Sequence, residues 1–518
     1  MSTKSANNKR IAKNTLLLYV RMLFGMIVSF YTSRVILSVL GVSDFGINNV
    51  VGGVAAMFSF LNSSLAGATS RFLTFELGRG NKLMLKETFS AAFTIHVVLA
   101  IIVFILCETI GLWLLEFKLV IPDGRMQAAR ILFQLSTVST LLGVTQVPFG
   151  ASIIAHEKMN IYAYLGILDI ILKLFIVYLI TISPFDKLIS YGVMFFIVSM
   201  IMLIIYRMYA IKNFEECSMK LSRDKSKIFP MLKFSGWDLY GNLSVMLRGQ
   251  GINVLQNMFW GTAVNAATGI ANQILNAILG FSNNFLTAVR PQIVKTYAQG
   301  NIHEMQLLVE RSSKFSFLLL FFISFPCFIE LPFVLDVWLE VVPDYSIQFA
   351  RWSLVFNWIV TLFLPLMYVI HATGRVKRIS LINGSLYVLV LPITYIVYKL
   401  NMGNPIFPFM VNALFVLLGA GVSNLYTVHL YIPAFQCVHF IKHAVFKGVI
   451  AGIFGTIAPF FTHFYFGQSW TGVIITCIIS VISMSFSIYF IGLDANERLK
   501  IKEIINNKLH KNIKWNND

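Results

Sequence analysis

Charge is what this sequence has least of. Only 12% of its 518 residues are Asp, Glu, Lys or Arg, about half the fraction usual in soluble domains. A soluble globular chain is excluded on that ground. Cysteine is scarce too. The five (Cys107, Cys217, Cys327, Cys437 and Cys477) are scattered without a C-x-x-C, which argues against thiolate metal sites and leaves packing as their role. The nine histidines form no H-E-x-x-H, and neither G-x-S-x-G nor G-x-x-x-x-G-K-[ST] occurs, so zinc, nucleophile-elbow and P-loop chemistry find no motif. No cofactor or metal is expected. Long hydrophilic segments are missing as well. The largest span about 211–234 and 290–312, and loops such as "SPFDKLIS" and "NMGNPIFP" are too small for a catalytic domain. That counts against a membrane glycosyltransferase or polymerase, and against an enzyme generally.

What is abundant is hydrocarbon. Hydrophobic residues make up 57% of the chain, gathered in runs of about 20 to 28, each long enough to cross about 30 Å of lipid. Fourteen runs can be drawn, near 15–38, 47–70, 88–115, 127–153, 161–183, 189–210, 236–260, 263–289, 313–338, 349–372, 379–400, 405–431, 444–466 and 470–493. The pattern predicts an all-α polytopic membrane protein. The first run is too long for a signal-peptide core and no small-residue cleavage site follows it, so it is expected to stay as the first span.

Orientation explains the net charge of +18. With a cytoplasmic N-terminus and alternating sides, 31 of the 41 Lys and Arg fall in cytoplasmic segments. This is the positive-inside bias, and it places both termini in the cytoplasm. The basic loops are short and lack interleaved aromatics, so nucleic acid is not an expected partner.

Two stretches repeat. "FLNSSLAGATSRFLTFELGRGN" begins at Phe60 and "FSNNFLTAVRPQIVKTYAQGN" at Phe281. Phe60, Asn62 and Leu65 match Phe281, Asn283 and Leu286 at an offset of 221, and Gly80-Asn81 matches Gly300-Asn301 at 220. Six spans separate the copies, so both halves share one orientation, as in transporters built from parallel repeats. The expected organisation is a six-helix bundle over 1–212, a second over 213–432, and two further spans with a basic tail over 433–518. The tail after Asp494 suits either a surface amphipathic helix or a solvated end.

Polar residues inside the runs are the candidate functional groups. Asn265, Asn272, Asn276 and Asn283 fall on one helical line at 100° per residue, and Asn62 echoes them in the first half. The seventh run places Asp238, Asn242, Gln250, Asn253, Gln256 and Asn257 on one broad face, with Arg248 near mid-membrane and off that face. Such amides suit either close helix packing or a hydrated cavity for a hydroxyl-rich ligand, since each amide donates and accepts. Arg21 and Arg34 sit in the first run. Each either snorkels to an interface or presents its planar donor fork to phosphate. Asp169 and Lys173, at i,i+4, form either a structural pair or an ion-coupling site, for which Asp238 is another candidate.

The segments "GVSDFGINNVVGGVAAMFSFLNSSLAGATSRFLTFELGRGN" and "ATGIANQILNAILGFSNNFLTAVRPQIVKTYAQGN" resemble the bacterial polysaccharide-transport proteins. These are the O-antigen flippases (Wzx type) of the multidrug/oligosaccharidyl-lipid/polysaccharide exporter superfamily. The resemblance implies a 6+6+2 arrangement and alternating-access movement of an undecaprenyl-diphosphate-linked oligosaccharide between leaflets. It implies that Arg21, Arg34 and Arg248 face the diphosphate, and that membrane lipids, and a polysaccharide polymerase or glycosyltransferases, are partners. A multidrug antiporter of the same superfamily is the alternative. It would favour acidic cavity residues, whereas the deep charges here are mainly basic.

Overall fold

The computed structural model describes the backbone of residues 3–57, 60–156, 158–495 and 497–499. Side chains are described over the same ranges except 3–22, 60–64, 66–68, 71, 78, 159, 162, 233–238, 281, 284, 287–288, 291 and 295. The described chain is helical, with no strand. In order the helices are α1 (Thr3–Met57), α2 (Phe60–Arg79), α3 (Lys82–Phe117), α4 (Met126–Ala155), α5 (Met159–Ile182), α6 (Lys187–Asn213) and α7 (Lys225–Trp260). There follow α8 (Thr262–Ala298), α9 (Ile302–Trp338), α10 (Ser346–Ala372), α11 (Lys377–Lys399), α12 (Phe407–Tyr431), α13 (Cys437–Phe466) and α14 (Trp470–Gly492).

Among the described residues, eleven helices are long and apolar enough to cross a bilayer, so this is a multi-pass membrane protein. The count of fourteen spans expected from sequence is not reached on that measure. α7 and α8 fall outside the eleven because their amides, and Arg248 in α7, lower the hydropathy of otherwise long helices. The run 47–70 is shared between the end of α1 and α2.

Local sequence sets the helix ends. Asn81 starts α3 by accepting from the Met84 amide at 3.1 Å, and Ser469 starts α14 by accepting from the Gly472 amide at 3.0 Å. The internal repeat is written into the backbone. α1 is broken at Gly41 (φ 73°), and α7 ends at Gly261 (φ 78°). α2 ends at Gly80 (φ 68°) and α8 at Gly300 (φ 73°), while Gly124 (φ 78°) and Tyr345 (φ 69°) occupy matching loops. Each pair of left-handed residues recurs at an offset of 220 or 221, the offset at which the sequence repeats.

Packing divides the chain into two compact units. The first is Met1–Ala277, Trp338–Ala350 and Val376–Phe415, and the second is Ile278–Val337, Arg351–Arg375 and Val416–Asp518. In the first unit α7, α11 and the start of α8 pack with the N-terminal helices. Ile47, Val50, Val51 and Val54 of α1, Ala91, Ala92 and Ile95 of α3, and Leu132 and Phe133 of α4 belong to one buried apolar core of that unit. In the second, Phe317, Phe321 and Phe325 stack along α9 with centroids 5.5 and 5.2 Å apart. There Gly455 of α13 lies so close to Met484 of α14 that a side chain at 455 would overlap it.

Candidate functional site

The first unit holds two polar arrangements, one closed and one open. The closed one forms where α1, beyond its break at Gly41, meets the α7–α8 elbow. Ser43 Oγ is 3.4 Å from Thr262 Oγ1, and Gly46 leaves no room for a Cβ against the Thr262 carbonyl. One turn on, Asn49 donates to the Asn265 carbonyl at 3.0 Å and accepts from Asn253 Nδ2 at 3.3 Å. Asn265 Nδ2 donates to the carbonyl and to Oδ1 of Asn253, at 2.8 and 2.6 Å. Asn257 Nδ2 donates to Asn265 Oδ1 at 2.8 Å, while its own Oδ1 accepts from the Val120 amide at 2.6 Å. Gln256 donates to the Pro405 carbonyl at 3.1 Å and accepts from Thr268 at 2.9 Å.

This joint places two of the sequence candidates. Asn253 and Asn257 are buried, and their amides are taken up by protein groups rather than turned to an open space. Buried amides must be satisfied, and here five chain segments satisfy one another. Gln250 packs on α1, where a Cβ at Gly53 would come within 2.5 Å of its Oε1.

The open arrangement is a pocket of about 220 Å³ lined by Gly25, Met26, Ser29 and Phe30 of α1 and by Gln273, Asn276 and Ala277 of α8. Gln273 donates to Ser29 Oγ. Phe30 is fixed by Trp338, whose ring stands edge-on at 4.8 Å and whose indole N–H donates to the Phe30 carbonyl at 2.7 Å. Asn272 and Asn276 are exposed. Arg34, one turn beyond Phe30 on α1, is also exposed. In the second unit Asn283 is exposed as well. The side chains of Arg21, Asn62 and Asp238 lie outside the described residues.

A second pocket in the first unit, of about 380 Å³, lies among α1, α4 and α6. Its polar lining is Asn48, Ser136, Ser139, Thr140, Tyr191 and Ser199, without an acid or a base. Asp169 and Lys173 of α5 pair at 2.8 Å, and the Lys173 ammonium stands 5.5 Å from the Phe195 ring on that pocket's wall.

Arg248 is buried between α7 and α11 with its guanidinium 4.4 Å from the Tyr387 ring centroid. The helices approach this closely because Gly251 faces Leu391 and Gly384 faces Tyr240 and Ser244. Sequence reading missed Arg207. It lies within α6, donates to Thr145 Oγ1 at 2.7 Å and stands 5.3 Å from the Phe149 ring. Gln273 and Asn49 were missed too. Gln273 lies about 100° off the asparagine line, and on α1 Gly53, one turn on from Asn49, hints at the close approach there.

At the end of α4, Arg125 binds two carboxylates, Asp44 of α1 and Asp186, the cap of α6. The Arg125 hydrogen bond holds the Asp186 carboxyl below its ordinary range, against a smaller upward push from burial. The bonds to Asp186 raise Arg125 in turn. No group of three or more His, Cys, Asp or Glu able to hold a metal ion occurs among the described residues. Chemically the two pockets offer neutral donors, acceptors and ring faces.

No protein-family profile and no curated protein matches the chain by sequence. Its fold is that of solved transporters of the MOP superfamily. An inward-facing multidrug resistance MATE family transporter of that superfamily is 14% identical, with 82% of this chain and 95% of that chain aligned at a TM-score of 0.61. The lipid II flippase MurJ, in an inward closed conformation, is 14% identical over 91% of this chain and 98% of its own, at 0.59. A MOP superfamily transporter from Pyrococcus furiosus, described as having a binding pocket of reversed polarity, is 13% identical over 82% and 96%, at 0.58. At such identities the likeness is one of fold.

Proposed function

We propose that the protein is a non-enzymatic flippase that carries an undecaprenyl-diphosphate-linked oligosaccharide from the cytoplasmic to the periplasmic leaflet of the bacterial inner membrane, with both termini in the cytoplasm. The glycan is an O-antigen, capsule or related surface-polysaccharide unit. The observation that carries this reading is the open pocket of the first unit. Ser29, Gln273 and Asn276 supply hydroxyl and amide groups, Phe30 supplies a ring face, and no acid lines the space. Sugars take that combination, because hydroxyls pair with amides and C–H faces lie on aromatic rings.

The diphosphate falls to guanidinium groups. Arg34 is exposed one turn from the pocket, and Arg21 stands on the same helix. Arg248, held on Tyr387, orders the α7–α11 contact in this reading rather than meeting the ligand first. Asp169, Lys173 and Asp238 keep their standing as ion-coupling candidates. In the second unit a groove of about 490 Å³ between α13 and α14 is walled by Phe454, Ile479, Ile482, Phe486 and Phe490, and it suits an isoprenoid tail. Membrane lipids border the helices, and a polymerase or glycosyltransferases would hand over or receive the glycan.

A multidrug antiporter is the second reading, on the strength of the MATE fold. Lipophilic cations call for a carboxylate, and neither pocket of the first unit has one. The two readings separate by labelling. Asn276→Cys, in a background without the five native cysteines, should react with a small polar thiol reagent and be protected by lipid-linked oligosaccharide. Protection by a cationic dye alone would favour the antiporter.

A further inference from the structure

Glu330, on α9 in the second unit, is 1% exposed, two turns before the helix ends at Trp338. A carboxylate so placed must be paired or neutral, since an uncompensated charge in an apolar interior is strongly disfavoured. One partner is at hand. His463, on α13, has Nδ1 at 2.9 Å from Glu330 Oε1. The other oxygen, Oε2, is buried and finds no partner among the described residues.

Among the described residues no Lys or Arg pairs with Glu330. On α10, Arg351 is spent on backbone, donating to the Phe328 carbonyl at 3.0 Å and the Ile329 carbonyl at 3.2 Å. The titratable residues nearby are two thiols, Cys477 of α14 and Cys327 of α9. A second acid on the same helix shows the contrast. Glu310 accepts through Oε1 from His439 at 2.8 Å and also from Gln306 at 2.8 Å, so a donor that never titrates holds it in place.

We propose that Glu330 and His463 form a proton-binding site, and that the proton it takes is the coupling ion of transport. The pair is neutral when it shares one proton, as carboxylate with imidazolium or as acid with imidazole. Losing that proton leaves a bare buried carboxylate, and gaining a second leaves a neutral acid beside an imidazolium. His463 is the port. It lies three residues from the end of α13, its side chain is one quarter exposed, and Nε2 is turned away from the bond to Glu330. A proton arriving on Nε2 lets Nδ1 pass its own to Glu330, with no other atom exchanged.

The coupling role rests on the transport reading above. The proton site does not, so the two are tested apart. Infrared difference spectra of the full chain in lipid nanodiscs, recorded over about pH 5 to 8 where histidine titrates, should show a carboxyl signal that Glu330→Gln abolishes. His463→Gln should alter that signal, because the group that shares the proton with the carboxyl is gone. A titration unchanged in both variants, each shown to be folded by thermal melting, would overturn the site. In proteoliposomes loaded with lipid-linked oligosaccharide, an imposed pH gradient should speed leaflet crossing by the wild type and not by Glu330→Gln. A gradient without effect on the wild type would overturn the coupling while leaving the proton site standing.

Discussion

Arg351 donates through Nε to the carbonyl oxygen of Phe328, 3.0 Å away. That carbonyl needs a donor because the residue four positions on is Pro332, which has no N–H to give it. An arginine in an apolar helix thus repairs a proline break. Arg130 stands 221 residues earlier, at the equivalent repeat position, and does something else. It grips Glu116 through two bonds of 2.5 and 2.6 Å. The two halves keep the arginine and spend it differently.

The repair predicts a non-additive pair. Arg351→Ala should destabilise the protein by about 1.5–3 kcal/mol, the range for losing a charged hydrogen bond to a buried partner. In a Pro332→Ala background the restored N–H takes the carbonyl, and the same change should cost less than half as much. Thermal unfolding in detergent across the four-member cycle measures this. Equal costs in both backgrounds would contradict the account.

The amide joint gives a second expectation. Asn265→Ala removes bonds to Asn253 and Asn257 and strands buried groups on both, so stability should fall by about 1–3 kcal/mol. Asn272→Ala, at an exposed position of the same helix, should change it by less than about 0.5 kcal/mol. The two melting temperatures, compared side by side, decide whether the amides of α8 divide as described.

Close approach is testable at two neighbouring glycines of α1. Gly46→Ala drives a methyl into the Thr262 carbonyl, a backbone atom that cannot move aside, and overpacking of that kind costs about 1–3 kcal/mol. Gly52 has nothing within 4 Å of where its Cβ would stand. Gly52→Ala should therefore be neutral, or stabilising by up to about 1 kcal/mol through helix propensity. Expression level and melting temperature of the two variants report the difference.

Asp186 carries a pH dependence of definite sign. Its carboxyl is depressed by Arg125, so the stability it contributes is fully present above the ordinary aspartate value of about 3.9. That contribution is lost as pH falls through the lower value of the folded state. Asp186→Asn should therefore lower the melting temperature at neutral pH, and its difference from the wild type should shrink on strong acidification. A difference that grew in acid would contradict the assignment.

Much of the fold was legible because lipid imposes it. Apolar runs survive as helices, and the internal repeat survives as paired left-handed turns at Gly41 and Gly261, or Gly80 and Gly300. The site was less legible. Helical phase placed Asn253, Asn257 and Asn276 in one class of polar residues, yet phase does not say what faces a residue. Asn253 and Asn257 meet Asn265 and the 118–125 loop, while Asn276 meets open space. Glu330 and His463 are 133 residues apart, and no spacing rule joins them.

The central claim is that this protein moves a lipid-linked, diphosphate-bearing glycan, using amides and a ring face for the sugar and guanidinium groups for the anion. Leaflet crossing of a defined undecaprenyl-diphosphate oligosaccharide in proteoliposomes, at matched protein content, tests it most directly. The wild type should move the lipid well above protein-free vesicles. Arg21→Ala should abolish crossing, and Arg34→Ala and Asn276→Ala should slow it, Arg34→Lys less severely because charge persists without the bidentate fork. Crossing no faster than in protein-free vesicles, or undiminished in Arg21→Ala and Asn276→Ala alike, would contradict the claim.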